Sequence, residues 1–233
     1  MSKLTVLRAV HRPGVLLALL LLLGCPSVPF VHPNTKDVEQ LESMQKARST
    51  GALAQVSREQ IACDSVHRTC ARLQMEKGGA CLALAEASDP AERARVRECA
   101  ASAFAAARRL LPGDAPANEK LEAGVGLASA LRLRREGATP DSRRALNAEL
   151  AQTTETLRGL PGGAPYAAFF AGDVELNRVL TGETPPAQQC AALGKAAGEL
   201  GGITAAPPDL AGRIEALRRN IADAQRSPAR KCA

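Results

Sequence analysis

Apolar residues recur at steps of three and four along most of the chain, and nowhere do they alternate over the length of a strand. Between 90 and 111, Val96, Cys99, Ala100, Ala103, Phe104, Ala107, Leu110 and Leu111 form one such stripe, the pattern of a helix that buries one face. Comparable stripes predict helices near 37–47 (Val38, Leu41, Met44), 52–76 (Leu53, Val56, Cys63, Cys70, Leu73) and 117–136 (Leu121, Val125, Ala128, Leu131). Further stripes lie near 140–159 (Leu146, Leu150, Leu157), 188–200 (Cys190, Leu193, Ala197, Leu200) and 209–225 (Leu210, Ile214, Leu217, Ile221, Ala224). Two more helices are predicted at 80–87 and 164–180. Pro and Gly punctuate these segments: Gly78-Gly79 is read as the stop of the second helix, and Pro112-Gly113, Gly137, Gly159, Pro185-Pro186 and Pro207-Pro208 mark other boundaries. Asp89-Pro90-Ala91-Glu92 is a start signal, with Asp89 as N-cap, Pro90 at N1 and Glu92 at N3. The pattern predicts an all-α fold of antiparallel helix hairpins, arranged as a short solenoid or a compact bundle.

Composition agrees with a folded body. Hydrophobic residues make up 45% of the 233 and charged residues 23%, a globular balance. Aromatic residues are 2% of the chain and tryptophan is absent, which excludes a stacking platform for sugars or single-stranded nucleic acid. Most of the ring mass sits in Tyr166, Phe169 and Phe170, expected in the core. The arginines of the 90–111 helix (Arg93, Arg95, Arg97, Arg108, Arg109) are expected on its solvated face.

The N-terminus carries different information. Lys3, Arg8 and Arg12 precede an unbroken apolar run from Val15 to Leu23, too short to span a hydrocarbon core of about 30 Å and patterned as a signal sequence. The run ends in Leu22-Leu23-Gly24-Cys25. This tetrapeptide resembles the lipobox of bacterial lipoproteins. The resemblance implies cleavage after Gly24 and acylation of Cys25 with palmitate-type chains, and two or three such chains give stable anchoring at about 0.8 kcal/mol per buried CH₂. It also implies the outer membrane, because residue 26 is Pro rather than the Asp that retains many lipoproteins at the inner membrane. Residues 25–36 hold three prolines and read as a tether, leaving 37–233 as one helical domain with a sub-boundary near 181–187. Loss of the signal removes three cations and halves the formal charge of +6, so little remains to attract nucleic acid.

With Cys25 assigned to lipid, Cys63, Cys70, Cys81, Cys99, Cys190 and Cys232 are an even set in an exported chain, the composition of a disulfide framework. Cys81 and Cys99 are equidistant from Pro90 and can meet across a hairpin. Cys190 and Cys232 fall at the open end of the last helix pair. Cys63 and Cys70 would be about 10.5 Å apart on one helix, too far for a bridge unless the helix breaks between them; exchange with another pair and free thiols are the alternatives. A metal or redox module is the competing reading, with Cys63, His67, Cys70 and Cys81 as four soft ligands and 63, 67 and 70 on one helical face.

One stretch is similar to a tetratricopeptide repeat. Ala100, Phe104, Ala107 and Pro112 match the Ala-x₃-Phe-x₂-Ala…Pro of that family's second helix. The match covers about one repeat and implies architecture: alanines for close helix approach, and a ring that fills the gap to the next repeat. The Cys81–Cys99 hairpin also looks like the cysteine-bridged units of Sel1-like proteins. No catalytic constellation accompanies these features. His32 and His67 are the histidines left after processing, the Gly-rich 159–163 segment is a turn, and carboxylates such as Glu149 and Glu155 sit on helical surfaces. The expectation is therefore a non-enzyme without cofactor, metal, small-molecule substrate or nucleic-acid partner. It is expected to be an outer-membrane lipoprotein facing the periplasm, whose helical body binds a protein of the cell envelope; a structural surface lipoprotein is the third reading.

Overall fold

In the computed structural model, residues 35–228 together with Arg230 and Cys232 are described; the segment read as a signal, Leu22-Leu23-Gly24-Cys25 and the segment read as a tether up to residue 34 lie outside these residues. The described residues form nine α-helices, a short 3-10 turn at Pro186–Gln188, and no strand. The helices are α1 (Thr35–Ser49), α2 (Leu53–Arg58), α3 (Arg68–Ala87), α4 (Pro90–Leu110), α5 (Ala117–Arg135), α6 (Pro140–Arg158), α7 (Ala164–Leu180), α8 (Gln189–Gly201) and α9 (Pro208–Arg226). No helix among the described residues is long and apolar enough to cross a membrane.

From α3 onward each helix packs on the one before and the one after it, and second neighbours touch at α3–α5 and α7–α9. This neighbour-on-neighbour order is that of a solenoid built from hairpins. Local chemistry sets the hairpins. Asp89 accepts hydrogen bonds from the backbone N–H groups of Ala91 and Glu92, with Pro90 opening α4. Thr139 caps α6 in the same way through Ser142 N–H, ahead of Pro140. One continuous core runs from Met75 through Phe104, Leu131, Leu150 and Phe170 to Ala224. A smaller cluster of Met44, Val56, Leu73 and Ala80 seats α1 and α2 on α3. Residues from 35 onward belong to one compact unit, including the segment around 181–187.

The structure corrects the predicted helix boundaries in one region. The helix predicted over 52–76 is broken: α2 ends at Arg58 and α3 begins at Arg68. Between them the backbone is held from outside, with the carbonyls of Glu59 and Gln60 accepting from Lys77 Nζ (2.6 Å) and Gln40 Nε2 (2.8 Å). His67, read as a helix residue, is the N-cap of α3, its Nδ1 accepting from Thr69 N–H at 3.1 Å. Nor does Gly78-Gly79 stop a helix; α3 runs through both glycines to Ala87 and absorbs the segment read as a separate helix at 80–87. The reason is tertiary. A Cβ on Gly78 would lie 2.7 Å from the Phe104 ring, so the missing side chain makes room for α4.

Many charges tie one helix to another. Arg68 and Arg72 at the start of α3 pair with Glu119 and Glu122 at the start of α5, which sets those two helices side by side and parallel. Arg97 is not on a solvated face: its side chain is 14% exposed and pairs with Glu136 at 2.7 Å, while Arg134 reaches back to Glu98. Arg93 folds onto the Ser88 carbonyl.

Candidate functional site

The cysteines form three disulfides: Cys63–Cys70, Cys81–Cys99 and Cys190–Cys232. The break before α3 brings the Cα atoms of Cys63 and Cys70 to 5.2 Å, inside bridging range. The quartet Cys63, His67, Cys70 and Cys81 is therefore not assembled. Cys81 is bonded across the hairpin to Cys99, and 63, 67 and 70 share no helical face because residues 59–67 are not helical. Among the described residues, the one His/Cys/Asp/Glu group with ligand spacing is Asp37, Cys63 and Cys70, with Asp37 Oδ2 3.2 Å from the Cys63 sulfur. Both sulfurs are committed to the S–S bond, so neither offers the thiolate a soft metal requires. The bridge staples the loop between α2 and α3 to the first turn of α3.

Ala100, Phe104 and Ala107 are buried, and Pro112 follows the end of α4. The Phe104 ring is wedged between two helices. A Cβ on Gly78 of α3 would meet it at 2.7 Å, and one on Gly126 of α5 at 2.2 Å. The ring thus spans α3 and α5 from behind, and its other side forms part of the floor of a groove.

That groove, about 670 Å³, is the feature the sequence did not disclose. It is walled by alternate helices. From α3 come Met75, Gly79, Leu82, Ala83 and Glu86; from α5 come Leu121, Glu122, Val125, Gly126, Ser129 and Arg132, with Asn118 and Leu133 at the ends. The remaining lining is Arg48 of α1, Tyr166 of α7, and Asp209 and Arg213 of α9. Leu82, Leu121 and Val125 are half-buried, their apolar faces turned to the open space between the walls. A signal for this face was present in the glycines: Gly79 and Gly126 inside helices are poor helix formers with a packing or approach role.

One end of the groove is highly charged. Asp173 of α7 accepts from Arg132 Nε at 2.9 Å and from Arg135 Nη2 at 2.5 Å. Arg135 and Asp173 are buried, and Arg135 also donates to Asn147 of α6, whose amide donates to Glu183. This network locks α5, α6 and α7 together and orients Arg132. Burial of Arg132 acts against its charge, yet the nearby Asp173 carboxylate holds its pKa above the ordinary arginine value. Tyr166 donates to Asp209 at 3.2 Å; partial burial and that carboxylate raise its pKa. Arg213 is different. Among the described residues it has no hydrogen bond and no ion pair; its guanidinium carbon lies 4.8 Å from the centroid of the Phe169 ring. Partial burial, reinforced by repulsion from Arg132, lowers its pKa. Phe169 and Phe170 are buried and pack edge to face at 5.1 Å, whereas Tyr166 sits at the groove.

Chemically, the groove offers two wall helices with half-buried Leu82, Leu121 and Val125 and an end where Arg132 and Arg213 stand among the carboxylates of Asp173, Asp209 and Glu86. Compared with protein-family models, with curated proteins and with solved structures, the chain matches none.

Proposed function

We propose that the chain is a non-catalytic, protein-binding helical scaffold, a lipoprotein anchored to the outer membrane through Cys25 and facing the periplasm. The observation that carries the binding role is the groove walled by α3 and α5 and closed by residues of α1, α7 and α9. A concave face of alternate helices is how stacked hairpins present an interaction surface, and this one combines half-buried Leu82, Leu121 and Val125 with charged side chains of both signs. The anchoring half of the proposal rests on the signal pattern and on Leu22-Leu23-Gly24-Cys25.

Two measurements test it. A photo-crosslinking residue placed at Ser129 in the groove should capture another envelope protein in cells, while the same residue at exposed Arg109 should not. Equal capture from both positions, or none from Ser129, defeats the scaffold reading. The intact mass of the membrane-extracted chain should begin at Cys25 and include acyl chains; a different N-terminus defeats the anchor.

A further inference from the structure

The three bridges sit in different surroundings. Cys81–Cys99 and Cys190–Cys232 each have one sulfur near a backbone carbonyl, at 3.8 Å from Ser57 and 3.7 Å from Arg230. At Cys63–Cys70 both sulfurs face side chains, and at shorter range. Asp37 Oδ2 lies 3.2 Å from the Cys63 sulfur, and Ser65 Oγ lies 3.3 Å from the Cys70 sulfur. A bridged Cys63 has no proton to give, so the contact leaves the carboxylate without a donor there, whereas a Cys63 thiol would donate to it. The Ser65 hydroxyl is in place to donate to Cys70, and it is a stronger partner for a thiolate than for a bridged sulfur. These side chains suit the reduced pair better than the bridge.

Position and span agree. Cys70 is 1% exposed, while Cys63 is half-buried in a loop whose residues 64–66 are exposed, so Cys63 is the sulfur that an outside thiol reaches. Cys70 lies in the first turn of α3, where the backbone favours negative charge. Asp37, within 4.8 Å of both sulfurs, opposes charge on either, so the helix start and Ser65 decide which one leaves. The pair is only seven residues apart, and opening so short a loop costs the fold least. Lys77 and Gln40 still hold that loop by its carbonyls. None of these residues lines the groove.

We propose that Cys63–Cys70 is a dithiol–disulfide exchange site, reduced by a protein dithiol while the other two bridges stay closed. A donor thiolate attacks Cys63 Sγ, the Cys63–Cys70 bond breaks with its electron pair on Cys70, and a mixed disulfide joins Cys63 to the donor. The donor's second thiolate then attacks the donor sulfur of that mixed disulfide, and Cys63 leaves. The donor ends as a disulfide, its two electrons in the opened bridge and its two protons on Cys63 and Cys70. Asp37 then accepts from the Cys63 thiol, and Ser65 donates to the Cys70 sulfur.

The test uses the full chain extracted in detergent and equilibrated without oxygen in mixtures of reduced and oxidised dithiothreitol. Free thiols are alkylated, and each cysteine pair is followed by peptide mass. Cys63–Cys70 should be half-reduced at a reduced-to-oxidised ratio about tenfold or more below that of either other bridge, with the helices retained in circular dichroism. Asp37→Ala and Ser65→Ala should each raise that ratio about fivefold and leave the other bridges unchanged. Asp37→Asn, which keeps the side-chain shape, should shift it in the same direction and serves if Asp37→Ala disturbs α1. With glutathione disulfide, Cys70→Ser should form a mixed disulfide at Cys63 faster than Cys63→Ser forms one at Cys70. A Cys63–Cys70 pair no easier to reduce than Cys190–Cys232 overturns the proposal. So does easy reduction that the Asp37 and Ser65 variants leave unchanged, which marks a bridge opened by exposure alone. Faster reaction at Cys70 overturns the assigned order of attack.

Discussion

Phe104 shows how much one side chain decides. Its ring lies against the backbone of two helices at once, at Gly78 and Gly126. Alanine favours a helix over glycine by about 1 kcal/mol, yet at Gly126 a methyl group would overlap the ring. Forcing extra volume into a packed site costs about 1–3 kcal/mol. Gly126→Ala is therefore expected to lower stability in denaturant unfolding, and Phe104→Leu in the same chain to recover part of the loss. Gly194 of α8 meets nothing within 4 Å, so Gly194→Ala should raise stability by up to about 1 kcal/mol. Equal effects at the two glycines would show that Phe104 is not wedged as described.

Charge works at the same scale. The hydrogen bond from Arg68 holds the Glu119 carboxyl below the ordinary glutamate pKa, against the opposing effect of burial. A depressed carboxylate contributes stability that is present above its unfolded value and disappears as pH falls through the folded one. Glu119→Gln should therefore lower the unfolding midpoint at neutral pH, and its difference from wild type should narrow once the pH drops well below about 4. A difference that stays constant down to acid pH would assign the pair no role in holding α3 against α5.

At the scale of elements, the legible parts were those with local signals. Asp89-Pro90 opens α4, Thr139-Pro140 opens α6, and Pro207-Pro208 opens α9; each start is written in residues that act on their own backbone. The break between α2 and α3 has no such mark. Residues 59–67 contain neither Gly nor Pro, and the backbone leaves the helix because Gln40 and Lys77 take up its carbonyls and Cys70 takes up Cys63. The bridges also divide by span: 7, 18 and 42 residues separate the paired cysteines. In the chain-entropy account their removal costs about 2.5, 3 and 4 kcal/mol in that order. Replacing each pair by serine and following thermal unfolding should rank Cys190–Cys232 as the largest loss. If Cys63–Cys70 were the largest instead, the staple would act through the native loop between α2 and α3, not through the unfolded chain.

For the whole molecule, serial packing makes stability uneven. α1 buries one residue, Met44, whereas α5 buries most of one face and reaches α3, α4 and α6. Amide hydrogen exchange should release α1 well before α5, with α2 following α1 through their shared cluster. Uniform protection across the nine helices would mean that the chain opens as a single unit.

The sequence by itself determined the helical class, most helix boundaries, the reach of Cys81 to Cys99 and of Cys190 to Cys232, and the buried stripe of α4, because periodicity, caps and hairpin symmetry depend on near neighbours. Tertiary structure decided the rest. It decided that α3 passes through two glycines, that Cys63 meets Cys70, that Arg97 is paired, that Arg213 is not, and that α3 and α5 leave a groove between them. Each of these depends on which surface of another helix arrives at a given residue, and the spacing of residues along one helix holds no record of that.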